Sequence, residues 1–265
     1  MGNGTATEKK INLMGKINLL VSLSFWIGLL WMQPVHSQSY AFGLKGGLTI
    51  ATQKWDNSFQ RDPLFRQHAI LFIESVEEDQ PFALFAQGGY HVKGSAIRTF
   101  RSVYTQPDGS MIEVPSYTTP FVFNNLSLTL GAKQKFPFSG QKKLYYLFGI
   151  RGDYTVSTKL RPDNLANDYL FTIYPFEEFV NEFNYGATVG GGIELPFTEL
   201  VGLVLELTVN PDFTKQYNQP IIRNVINPNP FGGSNLIDIP ERQIVNTTFE
   251  VTLGFRFINK IVYID

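Results

Sequence analysis

The stretch 245-VNTTFEVTLGFRF-257 decides the fold. Val245, Thr247, Phe249, Val251, Leu253, Phe255 and Phe257 form one interleaved set. Asn246, Thr248, Glu250, Thr252, Gly254 and Arg256 form the other. Side chains alternate across a β-strand, so the segment has one apolar face and one polar, charged face. A soluble sandwich buries the apolar face. A membrane barrel turns it to lipid and keeps the polar set inside. Taken alone, the strand fits both.

Similar segments recur along the chain, each ended by Pro, Gly, Asn or Asp. They predict strands at Tyr40–Ala51, Arg66–Val76, Pro81–Gly94, Phe121–Phe136, Lys143–Ser157, Phe183–Leu195, Leu200–Asn210 and Ile244–Ile258. The second, "RQHAILFIESV", alternates poorly. The connections settle the opening question. "EEDQ", "PFSGQK" and "PFTE" are short, whereas Thr52–Phe65, Ser95–Pro120, Thr158–Glu182 and Pro211–Gln243 are long. Short and long alternate strictly, as in an outer-membrane barrel with tight periplasmic turns and extended external loops. A soluble sandwich has no reason to sort its loops by parity. The sequence therefore predicts an all-β, eight-stranded, antiparallel up-and-down transmembrane β-barrel. Its termini face the periplasm and its long connections face outward.

Composition agrees. Aromatic residues make up 14% and charged residues 17% of the chain, against about 25% charged in typical globular proteins. With 22 basic and 23 acidic residues there is no electrostatic footprint for nucleic acid. The absence of cysteine excludes disulfides, thiol catalysis, Cys-based metal sites and a lipoprotein anchor. Lys9, Lys10 and Lys16 precede the apolar run Ile17–Met32, followed by Pro34 and small residues up to Ser37. That is the layout of a cleavable signal peptide, residues 1–37, with Met14 opening a complete n-region of its own. Residues 38–265 then form the barrel domain, exported to the bacterial outer membrane.

Inward parity predicts a polar lumen of Lys45, Gln87, Lys133, Arg151, Asp153, Glu194, Glu206, Glu250 and Arg256. Eight strands leave room for side chains rather than a pore, and buried charges must pair. Glu206 and Glu250 are expected to pair with bases such as Arg151 and Arg256. Ion passage and a catalytic Glu206/Glu250 couple are the functional alternatives to this structural network.

Other motifs carry less. Gly186, Gly190, Gly191 and Gly192 lack phosphate-loop spacing and fit glycines that relieve crowding in a small barrel. His68 and His91 stand far apart in sequence, with His91 facing the lumen. Asp163, Asn164 and Asp168 lack an EF-hand pattern and read as a solvated loop. "NVINPNPFGGSN" reads as an irregular exposed loop or contact surface. The sequons at Asn125 and Asn246 fall in strands and are discounted.

The ordered segments "YAFGLKGGLTIA", "PFALFAQGGYHVKGSA", "LSLTLGAKQKFPF", "KLYYLFGIRGDY", "FNYGATVGGGIELPF" and "TFEVTLGFRF" span nearly the whole chain after residue 38. As a set they resemble the PorT-like outer-membrane β-barrel domain family of Bacteroidota. The resemblance implies a small eight-stranded barrel and, through PorT itself, a link to the type 9 secretion pathway. Pro211–Gln243 and the eight residues after Phe257 depart from the pattern.

The expected function is a non-enzymatic binding, anchoring or secretion-associated platform working through long external loops, with no cofactor or metal. Its partners are outer-membrane lipid and other envelope or secretion proteins. A small barrel hydrolase or acyltransferase is the alternative from another class. A soluble lipocalin-like carrier, with an apolar interior, is the third.

Overall fold

Alternating sequence produces alternating burial along much of each wall strand, giving way on the third strand to an unbroken buried run, His91–Ala96, near the loop end. The computed structural model describes residues 39–56, 61–76, 80–105, 109–161, 175–227 and 235–260. The signal-peptide segment and Asp163, Asn164 and Asp168 lie outside the described residues. Strands are β1 (Ser39–Trp55), β2 (Leu64–Val76), β3 (Phe82–Thr99), β4 (Ser102–Thr105), β5 (Met111–Val114), β6 (Tyr117–Ser139) and β7 (Lys142–Lys159). Then follow β8 (Phe183–Pro196), β9 (Val201–Pro211), β10 (Tyr217–Gln219), β11 (Ile222–Ile226), β12 (Leu236–Ile239) and β13 (Arg242–Asn259).

Antiparallel pairing runs β1-β2-β3-β6-β7-β8-β9-β13, and β13 returns to β1. The closing ladder extends from Tyr40↔Asn259 to Trp55↔Ile244. Closure removes both free sheet edges, as a membrane span requires. Each of the eight expected strands is present in the ring, most of them longer than the alternation indicated. The extra length lies chiefly at the long-connection end, called here the loop rim. β4 pairs with β5, and β11 with β12. β10 adds to β13 inside the mouth. "NVINPNPFGGSN" is thus not wholly irregular: its first residues, Asn224–Ile226, belong to β11. At the terminal rim, Gly140 sits at φ +57 between β6 and β7, a conformation that favours glycine in so tight a turn.

The two faces are the reverse of a soluble fold. On β9, Leu205 and Leu207 are 41% and 59% exposed, while Glu206 and Thr208 between them are 2% and 5% exposed. On β13, Phe249, Val251, Leu253 and Phe255 are exposed, and Asn246, Thr248, Glu250 and Thr252 are buried. Aromatic pairs band the exterior near the terminal rim, with Phe42 5.8 Å from Phe257 and Phe136 5.6 Å from Tyr146. A second band holds Tyr154 and Phe183, 4.8 Å apart, with exposed Tyr185 two residues on and exposed Tyr90 at the same level of the wall through Leu126. The span from Phe82 to Tyr90 on β3 matches the roughly 9–11 residues a tilted strand needs to cross. Such an exterior needs lipid, and a lipocalin-like carrier would show the opposite. Leu205→Arg should cost about 2–4 kcal/mol in refolding titrations into bilayers, as arginine does on a lipid face at mid-depth. Unchanged stability would overturn the facing.

Candidate functional site

The lumen is filled by buried polar side chains in successive levels. Nearest the terminal rim, Glu74 on β2 accepts from Lys133 Nζ at 2.9 Å, Lys135 Nζ at 2.9 Å and Arg256 Nε at 2.6 Å. Glu194 lies 2.8 Å from Lys135 and 3.7 Å from Arg256. One step inward, Glu206 takes a hydrogen bond from Lys45 at 2.7 Å and another from the Tyr145 hydroxyl at 2.8 Å. Lys133 also sits over the rings of Phe72, Phe85 and Tyr145, at 5.4, 5.4 and 4.8 Å. Its charge is therefore held by carboxylates and ring faces together.

The next level is built on histidine. His91 Nδ1 is 2.6 Å from Glu250 Oε1, and its ring stacks on His68 at 5.5 Å with 7° between planes. His68 bonds Thr49 Oγ1 through Nδ1 and Thr252 Oγ1 through Nε2, each at 2.9 Å. Toward the loop rim, Lys93 donates to Asp153 and Asp212 at 2.7 Å, and Arg151 Nη2 to Asp212 at 2.5 Å. Arg151 Nε reaches Asp153 at 3.0 Å, and Ser127 also donates to Asp153. The segment after β9 then turns into the mouth, where Gln216, Tyr217 and Gln219 are fully buried. Tyr217 packs with Phe123, Leu160 and Ile244 as an apolar cap. Burial pushes the Tyr217 phenol up, so it remains a neutral donor, bonded to Gln219 Oε1 at 2.7 Å.

The eight charged lumen residues named from parity, Lys45, Lys133, Arg151, Asp153, Glu194, Glu206, Glu250 and Arg256, are buried or nearly so. Gln87 joins them, its Oε1 without a hydrogen bond among the described residues. Their pairing differs from the expectation. Glu250 pairs with His91 and Glu206 with Lys45, whereas Arg151 serves Asp153 and Asp212 and Arg256 serves Glu74. Glu250 and Arg256 share one strand six residues apart, roughly 20 Å at strand rise. No side chains span that. Glu206 and Glu250 likewise answer to different bases and form no carboxylate couple. Glu74, Lys93, Lys135 and Asp212 are missing from the parity set. Lys93 and Lys135 share the parity of His91 and Lys133, so alternation alone contains them. Glu74 lies on the poorly alternating strand, and Asp212 lies past the last alternating residue. The two histidines, far apart in sequence, meet in space.

The glycines act as expected. A Cβ at Gly192 would come 2.4 Å from the Leu205 carbonyl and 2.5 Å from the Tyr145 hydroxyl. Among the described residues no cluster of three or more His, Asp or Glu has metal-binding geometry.

A closed ring with an apolar exterior and an ion-paired lumen defines an eight-stranded β-barrel of the outer-membrane type. No family model and no curated protein matches the chain. Among solved structures it is similar to Neisserial surface protein A, at 11% identity and TM-score 0.41, over 82% of this chain and 97% of that one. OprG from Pseudomonas aeruginosa gives 11% and 0.45 over 83% and 97%. The protease OmpT from Escherichia coli gives 9% and 0.38 over 85% and 99%.

Proposed function

We propose that this is a non-enzymatic protein of the bacterial outer membrane, exported by the signal peptide 1–37. Its loop rim binds or anchors envelope or secretion partners. The PorT-like resemblance supports the secretion-associated form. One observation carries the reading: the lumen is filled, while the loop rim is built outward. The wall strands run beyond the apolar belt, two accessory hairpins extend them, and large apolar side chains stand in the open. Phe100, Met111, Phe213 and Ile226 are 72%, 75%, 65% and 76% exposed. Recognition commonly sits on such loops over a rigid scaffold. A hydrolase needs a reachable nucleophile beside its base, but His68 and His91 are buried among hydroxyls and Glu250.

Cysteine labelling tests the placement, since the chain has no native thiol. Lys215→Cys, at the loop rim, should react with a membrane-impermeant reagent on intact cells. Ser139→Cys, at the terminal rim, should react only after the outer membrane is breached. The reverse pattern would invert the barrel and remove the loop rim as an outward surface. Replacing Ser102–Val114 by a short Gly-Ser link should then abolish co-purification of partners from solubilised membranes while leaving the barrel folded. Unchanged partners would exclude that hairpin as the docking element.

A further inference from the structure

The β2–β3 seam is zipped over half its length. Its ladder runs from Glu74↔Phe85 up to Ala69↔Tyr90 and stops there, although both strands continue. β2 is paired to β1 as far as Leu64↔Ala51, and β3 to β6 as far as Thr99↔Tyr117. The two edges meet again at the isolated bridge Asp62↔Ala96. Seven steps on one strand face six on the other, so one extra residue is accommodated without a regular ladder. Leu64 fills part of the interval, its Cδ2 2.8 Å from where a Cβ at Gly94 would stand. His68, on β2, and His91, on β3, bridge the start of the unzipped interval through their stacked rings.

We infer that the His68/His91 stack is an acid-sensitive clasp on this seam. Neutral His68 is fully satisfied: one ring nitrogen donates to a threonine hydroxyl and the other accepts from the second. The charged groups near the pair are Glu250 on β13, Lys45 on β1, Glu206 on β9 and Arg151 on β7. Glu206 is engaged by Lys45, and Arg151 by Asp153 and Asp212. Glu250 therefore remains to neutralise one imidazolium, not two. When acid adds a proton from solvent to His68, the new charge stacks on the ring that already holds Glu250 and has no carboxylate of its own, which loosens the shortest ladder of the wall. The seam above Ala69 and Tyr90 then parts, exposing Leu64 and the edges of both strands.

Hydrogen exchange on the purified protein in nanodiscs reads this directly. After correction for intrinsic exchange chemistry, the amides of Asp62 and Ala96, which bond across the seam at 2.8 and 2.9 Å, should lose protection by about tenfold or more between pH 8 and pH 5. The β6–β7 ladder, none of whose side chains bonds either histidine, should not change and serves as the internal control. His68→Gln keeps hydrogen bonding to both threonines without titrating, and it should remove the pH dependence. His91→Gln should do so as well, and the wild-type comparison stands alone if either variant misfolds. Equal protection at both pH values, or loss spread evenly over all seams, would overturn the clasp. So would pH dependence that persists in a folded His68→Gln variant.

Discussion

Glu74→Gln should be among the most damaging single changes in the barrel, costing about 3–5 kcal/mol of unfolding free energy. One carboxylate receives Lys133, Lys135 and Arg256 at 2.6–2.9 Å, and its side chain is wholly out of solvent. A neutral amide keeps the shape and loses the charge. Glu194 then faces Lys135 and Arg256 alone, and Lys133 keeps Glu206 only at 4.0 Å. The penalty comes from stranding buried cations rather than from losing one attractive pair. Removing a stranded cation should therefore recover part of it. Lys133→Met suits that role, because Phe72, Phe85 and Tyr145 already surround the side chain. Chemical unfolding of the bilayer-reconstituted barrel gives the comparison. If Glu74→Gln cost less than the lipid-face change Leu205→Arg, the lower cluster would not hold the wall as described. If the double variant were no more stable than Glu74→Gln alone, stranding would be the wrong cause.

The faces of this barrel were legible in its sequence, but the contacts between faces were not. Alternation assigns a residue to lumen or lipid because the side-chain period of a strand is two. Hence Lys45, Glu206 and Glu250 are placed inward without knowing any neighbour. Which inward charges meet depends on strand tilt and stagger, and no local pattern encodes those. Glu206 meets Lys45 across 161 positions of chain, and Lys93 meets Asp212 across 119. Glu250 and Arg256 look like partners because both point inward by parity, yet an extended strand carries them apart. Likewise the weak alternation of "RQHAILFIESV" concealed Glu74. That strand also borders the seam where the ladder fails, so the blurred pattern and the incomplete pairing occur together. The loop rim escaped for another reason: its hairpins and the buried Gln216 and Tyr217 hang on contacts with the mouth of the barrel, not on periodicity.

Asp212→Asn should release that mouth. Asp212 follows β9 and is buried against Lys93 and Arg151, so two cations fix the point where the chain turns inward. Asn246 Nδ2 joins the same anchor, 3.2 Å from Asp212 Oδ2 and 3.1 Å from Gln216 Oε1. Without the charge, Lys93 and Arg151 have Asp153 alone between them. Leaving one of them uncompensated costs about 3–5 kcal/mol where burial is complete. The loss should be uneven along the axis. Gln216, Tyr217 and Gln219 hang from the Asp212 anchor, whereas Glu74, Glu206 and their bases lie nearer the terminal rim in a network of their own. Exchange protection should therefore fall first in residues 212–219, above all at the Gln216 amide, which donates to the Ile244 carbonyl at 2.8 Å. Amides around Lys45 and Val204 should keep theirs. Asp153→Asn is the informative counterpart: it leaves Asp212 and the inward turn charged, so it should lower stability while keeping the cap ordered. Equal loosening of the cap by both variants would mean that total lumen charge, and not the Asp212 anchor, holds the mouth closed.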